Sequence, residues 1–234
     1  MAFAGFSEST FQFLAELAQN NEQSWFEAHR ADRDSALVEP AKALVEALAP
    51  GLKALDPELH VIPRVRASIK AMERRRRFPN AKRPPYKESL DLWFWSGPRC
   101  EWDNSGFYLR LTASRLVLAG GMVEFQKGTL ERYRDAVLDD ERGERLVSIV
   151  DTLRAGGYFV GGEGYKRAPP GVPADHPRVG LAKHRGLFTT LDTEHPGELR
   201  TPGFVDFALA HFRSFGPLHA WLVALGRPRA IVGA

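Results

Sequence analysis

Apolar residues recur at helical spacing in the first third of the chain, which predicts amphipathic helices there. Leu14 and Leu17 share the inner face of the first helix, and a second helix is predicted over residues 22–34. A third helix is predicted to begin at Pro40, because proline fits the first turn of a helix. Pro50 lacks the N–H that a helix interior requires, so we expect it to kink or interrupt this third helix.

The middle of the chain alternates apolar and polar residues, as half-buried β-strands do. Residues 90–95 alternate in this way, and residues 61–69 do so weakly. Two longer runs, residues 106–113 and 115–122, are separated by Ser114 and predict an antiparallel hairpin. Such a sheet would have one face covered by helices and the other partly solvated.

Helical spacing returns after residue 128 and again in the last helix before the C-terminus. Between these helices we predict a short strand or hairpin over residues 158–167, with the glycine-rich run 161–164 as a hairpin turn, and a final strand over residues 187–193. Pro217 is expected to break the last helix. Helices from the two ends of the chain would therefore pack against a central, mostly antiparallel sheet, which predicts an α+β fold in one domain over residues 1–234.

Composition is that of an ordinary globular protein, with 44% apolar and 26% charged residues in 234. The lone Cys100 has no partner for an internal disulfide and is predicted to be structural, with a reactive thiol assisted by Arg99 as the alternative. The first residues show no signal peptide, and no run of about 18 apolar residues occurs. We therefore predict a cytoplasmic protein that is not inserted in a membrane.

Basic residues are concentrated in one segment, residues 64–87. It contains ten Lys or Arg residues and one acid, Glu73, and the rest of the chain has 22 basic and 28 acidic residues. A segment at +9 thus lies in a remainder at −6, although the whole chain is only +3. Clustered like charges repel one another unless an anionic group neutralises them, so the segment indicates an anionic partner.

Arg74, Arg77, Tyr86 and Lys87 are the predicted ligand-binding residues of this segment. Guanidinium groups bind phosphates and carboxylates through two parallel hydrogen bonds, and a tyrosine can stack or donate beside them. One alternative is a solvated loop whose charges pair with acidic residues elsewhere in the chain. Another is that the cluster reflects composition alone.

A second basic cluster follows later, where Lys166, Arg167 and Arg178 are predicted to contact the same ligand. Asp175 and His176 lie within it, and such a pair can orient a general base or supply two metal ligands. The same residues also fit the start of a helix before Pro177. No HxH, HExxH or cysteine pair occurs in the sequence, so we predict neither a metal nor a cofactor.

Arg74, Arg77, Phe78 and Tyr86 have the spacing of a motif, Arg-x-x-Arg-Asp-x-Arg-Phe followed by Asp or Asn, Lys, two residues and Tyr. This resembles the motif of an uncharacterised, mainly bacterial family of about this length, domain of unknown function 2461. Four further segments are similar to that family, namely residues 20–30, 106–111, 120–122 and 165–187. The resemblance implies a single α+β domain. It implies no agreed activity, so it transfers no catalytic residues.

The chain departs from the motif at four positions. Ala71 replaces the first arginine, Arg75 replaces the aspartate, Lys82 replaces the Asp or Asn, and Arg83 replaces the lysine. Two acid or amide positions have thus become basic, so carboxylate chemistry there would be missing. The cationic and aromatic residues that are kept favour binding over metal chemistry.

The leading hypothesis is a site for an anionic, phosphate-bearing small ligand, formed by residues 74–87 facing residues 166–178 at one edge of the sheet. Asp175 and His176 are the candidates for proton transfer if a reaction occurs. One alternative is a nucleic-acid-binding module, in which the basic segment follows a phosphate backbone. Aromatic residues that could stack on bases or sugars are Trp93, Phe94, Trp95 and Trp102, but half of them must face the core on an alternating strand, and we expect the core role. Another is a protein–protein adaptor with a basic docking loop. The sequence leaves open whether the protein is an enzyme, and its oligomeric state.

Overall fold

A computed structural model describes residues 2–74, 84–97 and 104–226 of the chain. The α+β class is confirmed. The α-helices are α1 Glu8–Gln19, α2 Gln23–Ala28, α3 Arg30–Arg33, α4 Glu39–Leu55, α5 Lys127–Leu138, α6 Asp140–Ala155, α7 Val179–Ala182 and α8 Phe204–Val223. A π-helical turn, Asp34–Val38, joins α3 to α4, and short 3-10 helices span Gly197–Arg200 and Ala224–Gly226.

Six strands form one sheet in the order β1-β2-β3-β4-β6-β5. Their bounds are β1 Leu59–His60, β2 Leu90–Ser96, β3 Gly106–Leu111, β4 Arg115–Met122, β5 Phe159–Glu163 and β6 His184–Glu194. The predicted hairpin is confirmed as β3 and β4, which are neighbours in the sheet. The strand predicted over residues 61–69 is wrong, because that stretch contains only isolated bridges at Val65 and Ile69.

Of the two alternatives predicted for residues 158–167, the short strand is confirmed as β5 and the hairpin is wrong. β5 pairs with β6 instead, in antiparallel register with Phe159 opposite Thr190 and Glu163 opposite His184. The glycine-rich run lies inside β5, where the register shifts between Gly161 and Glu163. Gly162 has a φ of +110°, which glycine adopts without strain, so the run forms a strand irregularity and not a turn.

Neither proline interrupts its helix, so the break expected at Pro217 is wrong, and so is an interruption at Pro50. α4 continues through Pro50, and α8 continues through Pro217. Each proline is exposed, and so is the residue four positions before it, Glu46 or Arg213, whose carbonyl loses its helical donor. That carbonyl can bond water, while buried leucines on the inner face hold the helix in place. The prediction of Pro40 in the first turn of α4 is confirmed.

Packing divides the chain into two compact units. The first comprises Met1–Phe94, Tyr108–Leu118 and Asp192–His211, and the second comprises Trp95–Phe107, Ala119–Leu191 and Phe212–Ala234. Strands β2, β3, β4 and β6 each have residues in both units. The prediction of one domain over residues 1–234 stays a prediction.

The interior strand β2 is buried on both faces. Trp93 is 3% exposed and Trp95 is 6% exposed, so neither ring is a surface on which bases can stack. The expected core role is confirmed for Trp93, Phe94 and Trp95, and it extends to both faces of the strand, since a strand inside a sheet can be covered on both sides. Trp102 lies outside the described residues. Among the described residues, no helix combines the length and the apolar character needed to cross a membrane.

Candidate functional site

A cleft of about 380 Å³ opens in the first unit. We call it the basic cleft, because Arg74, Lys87 and Arg110 all line it, and Glu88 is the only acidic residue among the described lining residues. The remaining lining residues come from α1, from the position immediately before β2, and from the β3–β4 turn; they are Leu14, Ala18, Ser89, Thr112, Ala113 and Ser114. Three basic residues that are separate in the sequence thus meet in one concave site.

Asp91 of β2 fixes two of the three cations. Its carboxylate accepts a hydrogen bond from Arg110 Nε at 3.0 Å and one from the Ser89 hydroxyl at 2.9 Å. Lys87 Nζ lies 3.4 Å from the second carboxylate oxygen. The Asp91 side chain is only 4% exposed, and a buried carboxylate is stable only when it is paired and hydrogen-bonded. Asp91 therefore holds Arg110 and Lys87 at the wall of the cleft.

Tyr108 lies beside the same ion pair, with its ring centroid 5.4 Å from the guanidinium carbon of Arg110. Burial, followed by the negative charge of Asp91, raises the pKa of Tyr108 far above its usual range, so its hydroxyl stays protonated at neutral pH. Burial alone would lower the pKa of Arg110, but the hydrogen bond that Arg110 donates to Asp91 and the negative charge of Asp91 more than offset this and raise the pKa. Arg110 is thus a permanent cation.

Arg74 reaches the cleft from the end of a short antiparallel pairing. Its backbone N–H donates to Pro85 O, and the N–H of Lys87 donates to Met72 O. Arg74 Nε also donates to Tyr86 O at 3.1 Å, although the residue is exposed overall. These bonds bring the two described ends of the basic segment together, so Arg74 and Lys87 both line the cleft, and their role in ligand binding stays a prediction. Arg77 lies outside the described residues, and its role stays a prediction.

Tyr86 has a different place from the one predicted. It is 7% exposed, and its ring stacks on Phe26 at a centroid distance of 3.8 Å and an interplanar angle of 15°. Asn21 holds its backbone in two directions, since Asn21 Oδ1 accepts from Tyr86 N at 3.0 Å and Asn21 Nδ2 donates to Tyr86 O at 3.2 Å. Tyr86 therefore positions Arg74 and Lys87 from behind the cleft, and we leave its side chain out of the proposed contacts.

Arg178, a predicted ligand-binding residue, is buried in the second unit. Its guanidinium donates to Val137 O at 2.7 Å and Leu138 O at 3.2 Å, and to the carboxylates of Asp140 and Glu144, each at 3.0 Å. These four bonds tie the end of α5 to the start of α6. With its donors used in this way, Arg178 acts as an anchor between two helices, so we leave it out of the ligand-binding proposal.

The other predicted residues of the second unit stand in the loop before α7. Lys166, Arg167 and Asp175 are exposed there. His176 Nδ1 accepts a hydrogen bond from the backbone N–H of Arg178 at 3.1 Å, which engages one ring nitrogen in the turn that leads into the helix. The predicted roles of Asp175 and His176 in proton transfer, and of Lys166 and Arg167 in binding, stay predictions. Within the described ranges, no group of three or more His, Cys, Asp or Glu residues is placed to hold a metal ion.

Sequence reasoning missed Arg110, Asp91 and Glu88 as members of the site. Asp91 carried a usable signal, since an acid inside the apolar run of β2 must be paired if the strand is buried. Arg110 alternates with apolar residues on β3, a position equally consistent with a solvated face. The pairing of β2 with β3 brings the two residues together, and no local pattern specifies that register.

The family model described as conserved hypothetical protein (DUF2461) matches residues 9–221. No curated protein matches the chain.

Proposed function

Since this chain belongs to the conserved hypothetical protein family DUF2461, whose description states no activity, we propose its function from the basic cleft: it binds a small anionic, phosphate-bearing ligand there. The observation that carries the proposal is the convergence of Arg74, Lys87 and Arg110 on one concave site. Arginine and lysine side chains bind phosphate through charge-assisted hydrogen bonds, and arginine can supply two donors to one phosphate group.

The local charge supports an anionic ligand. Lys87 and Arg110 share the carboxylate of Asp91, whereas the Nε of Arg74 donates only to a backbone carbonyl among the described residues. The three cations outnumber Asp91 and Glu88 by one, so the cleft is positive before any ligand enters. The Arg110 side chain is 46% exposed, so its guanidinium can be reached from solvent while Asp91 orients it.

Size supports a small ligand. Binding clefts for small molecules commonly have volumes of roughly 300–1,000 Å³, and this one is near the lower end of that range. The exposed Ser114 also lines the cleft beside the cations. A serine hydroxyl can donate to a phosphate oxygen, so the lining is chemically suited to a phosphate monoester. We assign no reaction to the site.

A thermal-shift screen at low and moderate salt tests the proposal. The panel holds inorganic phosphate, sulfate, sugar phosphates, nucleotides and short single- and double-stranded oligonucleotides. A ligand present at about a hundred times its dissociation constant stabilises the native state by about 2.7 kcal/mol, which is measurable as a shift in Tm. We expect a salt-resistant shift with a small phosphate compound.

Two variants locate the binding. Arg74→Ala should remove most of the shift, because this exposed side chain lines the cleft. Arg30→Ala removes the same charge from an exposed residue of α3 that does not line the cleft, and it should keep the shift. A shift with oligonucleotides alone that disappears on adding salt would contradict the proposal and favour nucleic-acid binding. Equal shifts in Arg74→Ala and wild type would place the binding elsewhere.

A further inference from the structure

Glu88 stands in the wall of a cleft whose other charged lining residues, among those described, are cations. Its Oε1 accepts a hydrogen bond from Asn21 Nδ2 at 2.9 Å. Within the described part of the chain, Glu88 forms no ion pair, and its second carboxylate oxygen has no hydrogen-bond partner. A half-buried carboxylate beside three cations, paired with none of them, is an arrangement that a site for a bare anion does not require.

Asn21 explains why Glu88 does not turn towards the cations. The Asn21 amide bonds both backbone groups of Tyr86 as well as Glu88, so the amide and the carboxylate are fixed relative to the backbone of residues 86–88. The held carboxylate repels a simple phosphate that occupies the same cleft. It attracts a ligand group that donates hydrogen bonds, above all a cationic one.

We infer that Glu88 determines specificity, and that the preferred ligand is a phosphate monoester that also carries an ammonium group a few bonds from the phosphate. The phosphate would contact the cations Arg74, Lys87 and Arg110, and the ammonium group would donate to the second oxygen of Glu88. Ala18 and Ala113 supply the accessible apolar part of the lining, suited to a short methylene linker between the two charged groups. This inference rests on the proposed binding of a phosphate compound in the cleft.

Two probes of matched shape test it by isothermal titration calorimetry at low salt and neutral pH. They are 2-aminoethyl phosphate and n-propyl phosphate, which differ by an ammonium group in place of a methyl group. Propyl phosphate has the greater net negative charge, so non-specific attraction to a basic protein favours propyl phosphate. We expect the wild type to bind 2-aminoethyl phosphate at least about tenfold more tightly, as one charge-assisted hydrogen bond allows.

Glu88→Gln should remove that preference and leave the affinity for propyl phosphate equal or higher, because the repelling charge has gone. Glu46→Gln is the matched control, since it removes one acid from an exposed position of α4 outside the cleft and should keep the preference. Binding of propyl phosphate with no preference for the amine, or a preference that persists in Glu88→Gln, overturns the inference and leaves the proposed function standing. Binding of neither probe overturns both.

Discussion

Arg110 Nε lies 3.0 Å from the Oδ1 atom of Asp91, and the two partners differ sharply in burial: the arginine side chain is 46% exposed and the aspartate side chain 4%. The pair thus joins the interior of the sheet to the wall of the basic cleft. A buried carboxylate needs its partner, so Asp91 keeps the guanidinium in one place without enclosing it. Arg110 therefore stabilises the fold by pairing with Asp91, and its guanidinium also remains accessible to an anion.

Arg110→Ala should lower the free energy of unfolding by about 1–3 kcal/mol, because it leaves a buried acceptor with fewer partners. Arg115→Ala is the matched control, since Arg115 is also 46% exposed but its partner Asp192 is 57% exposed. An exposed ion pair contributes about 0–1 kcal/mol, so the control should change little. Urea denaturation of both variants measures the difference. Equal losses of unfolding free energy would mean that the burial of Asp91 does not determine how much its ion pair with Arg110 stabilises the protein.

Arg178→Ala should destabilise the protein by at least about 2 kcal/mol, because the carbonyls of Val137 and Leu138 lose buried donors. Asp140→Asn and Glu144→Gln should each change stability by less than about 1 kcal/mol, since both carboxylates are exposed. The folded Arg178→Ala variant should bind small phosphates as the wild type does. Loss of that binding, at a temperature where the variant is folded, would show that Arg178 contributes to ligand binding as the sequence predicted.

Gly121→Ala should be among the most damaging substitutions in the second unit. Gly121 has a φ of +125°, and a Cβ there would clash with Leu187 O. Gly157 has a φ of +81° with open space around the added carbon, so Gly157→Ala adds backbone strain alone, about 1–2 kcal/mol. Thermal unfolding should show a distinctly larger loss for Gly121→Ala. Similar losses would show that the β4–β6 contact is loose enough to adapt.

Stability should fall below about pH 6.5, the usual pKa of histidine, because burial lowers the pKa of His184 and of His211 in the folded protein. The unfolded chain then binds more protons than the native state, so the free energy of unfolding decreases as pH falls through that range and is constant above it. His184→Gln should reduce the slope of unfolding free energy against pH, because glutamine does not titrate. The stability of this variant at pH 8 should stay close to that of wild type. Denaturation at several pH values checks this, and an unchanged slope would exclude His184 as a source.

The sequence predicted those parts of the fold that depend on local patterns. The β3–β4 hairpin follows from alternation on both sides of a short turn, and α4 follows from the spacing of Leu44, Leu48 and Leu52. Local rules failed where tertiary packing overrides them. Pro50 and Pro217 interrupt nothing, because each faces water while the opposite helix face is buried.

The candidate site also has one part that local sequence patterns predicted and another that depends on tertiary contacts. The basic segment pointed to Arg74 and Lys87, because clustered charge is visible in the sequence itself. Asp91, Arg110 and Glu88 join them through the pairing of β2 with β3 and through the bond from Asn21, which are contacts between distant parts of the chain. A pattern that extends over a few residues does not specify such contacts.

The most direct test of the account is calorimetric titration of propyl phosphate into wild type, Arg110→Ala and Arg115→Ala. The two variants remove the same charge from equally exposed positions, but only Arg110 lines the cleft. We predict that Arg110→Ala weakens binding at least about tenfold, the equivalent of one charge-assisted hydrogen bond, while Arg115→Ala stays within about twofold of wild type. Equal weakening in both variants, or none in Arg110→Ala, would contradict binding in the basic cleft.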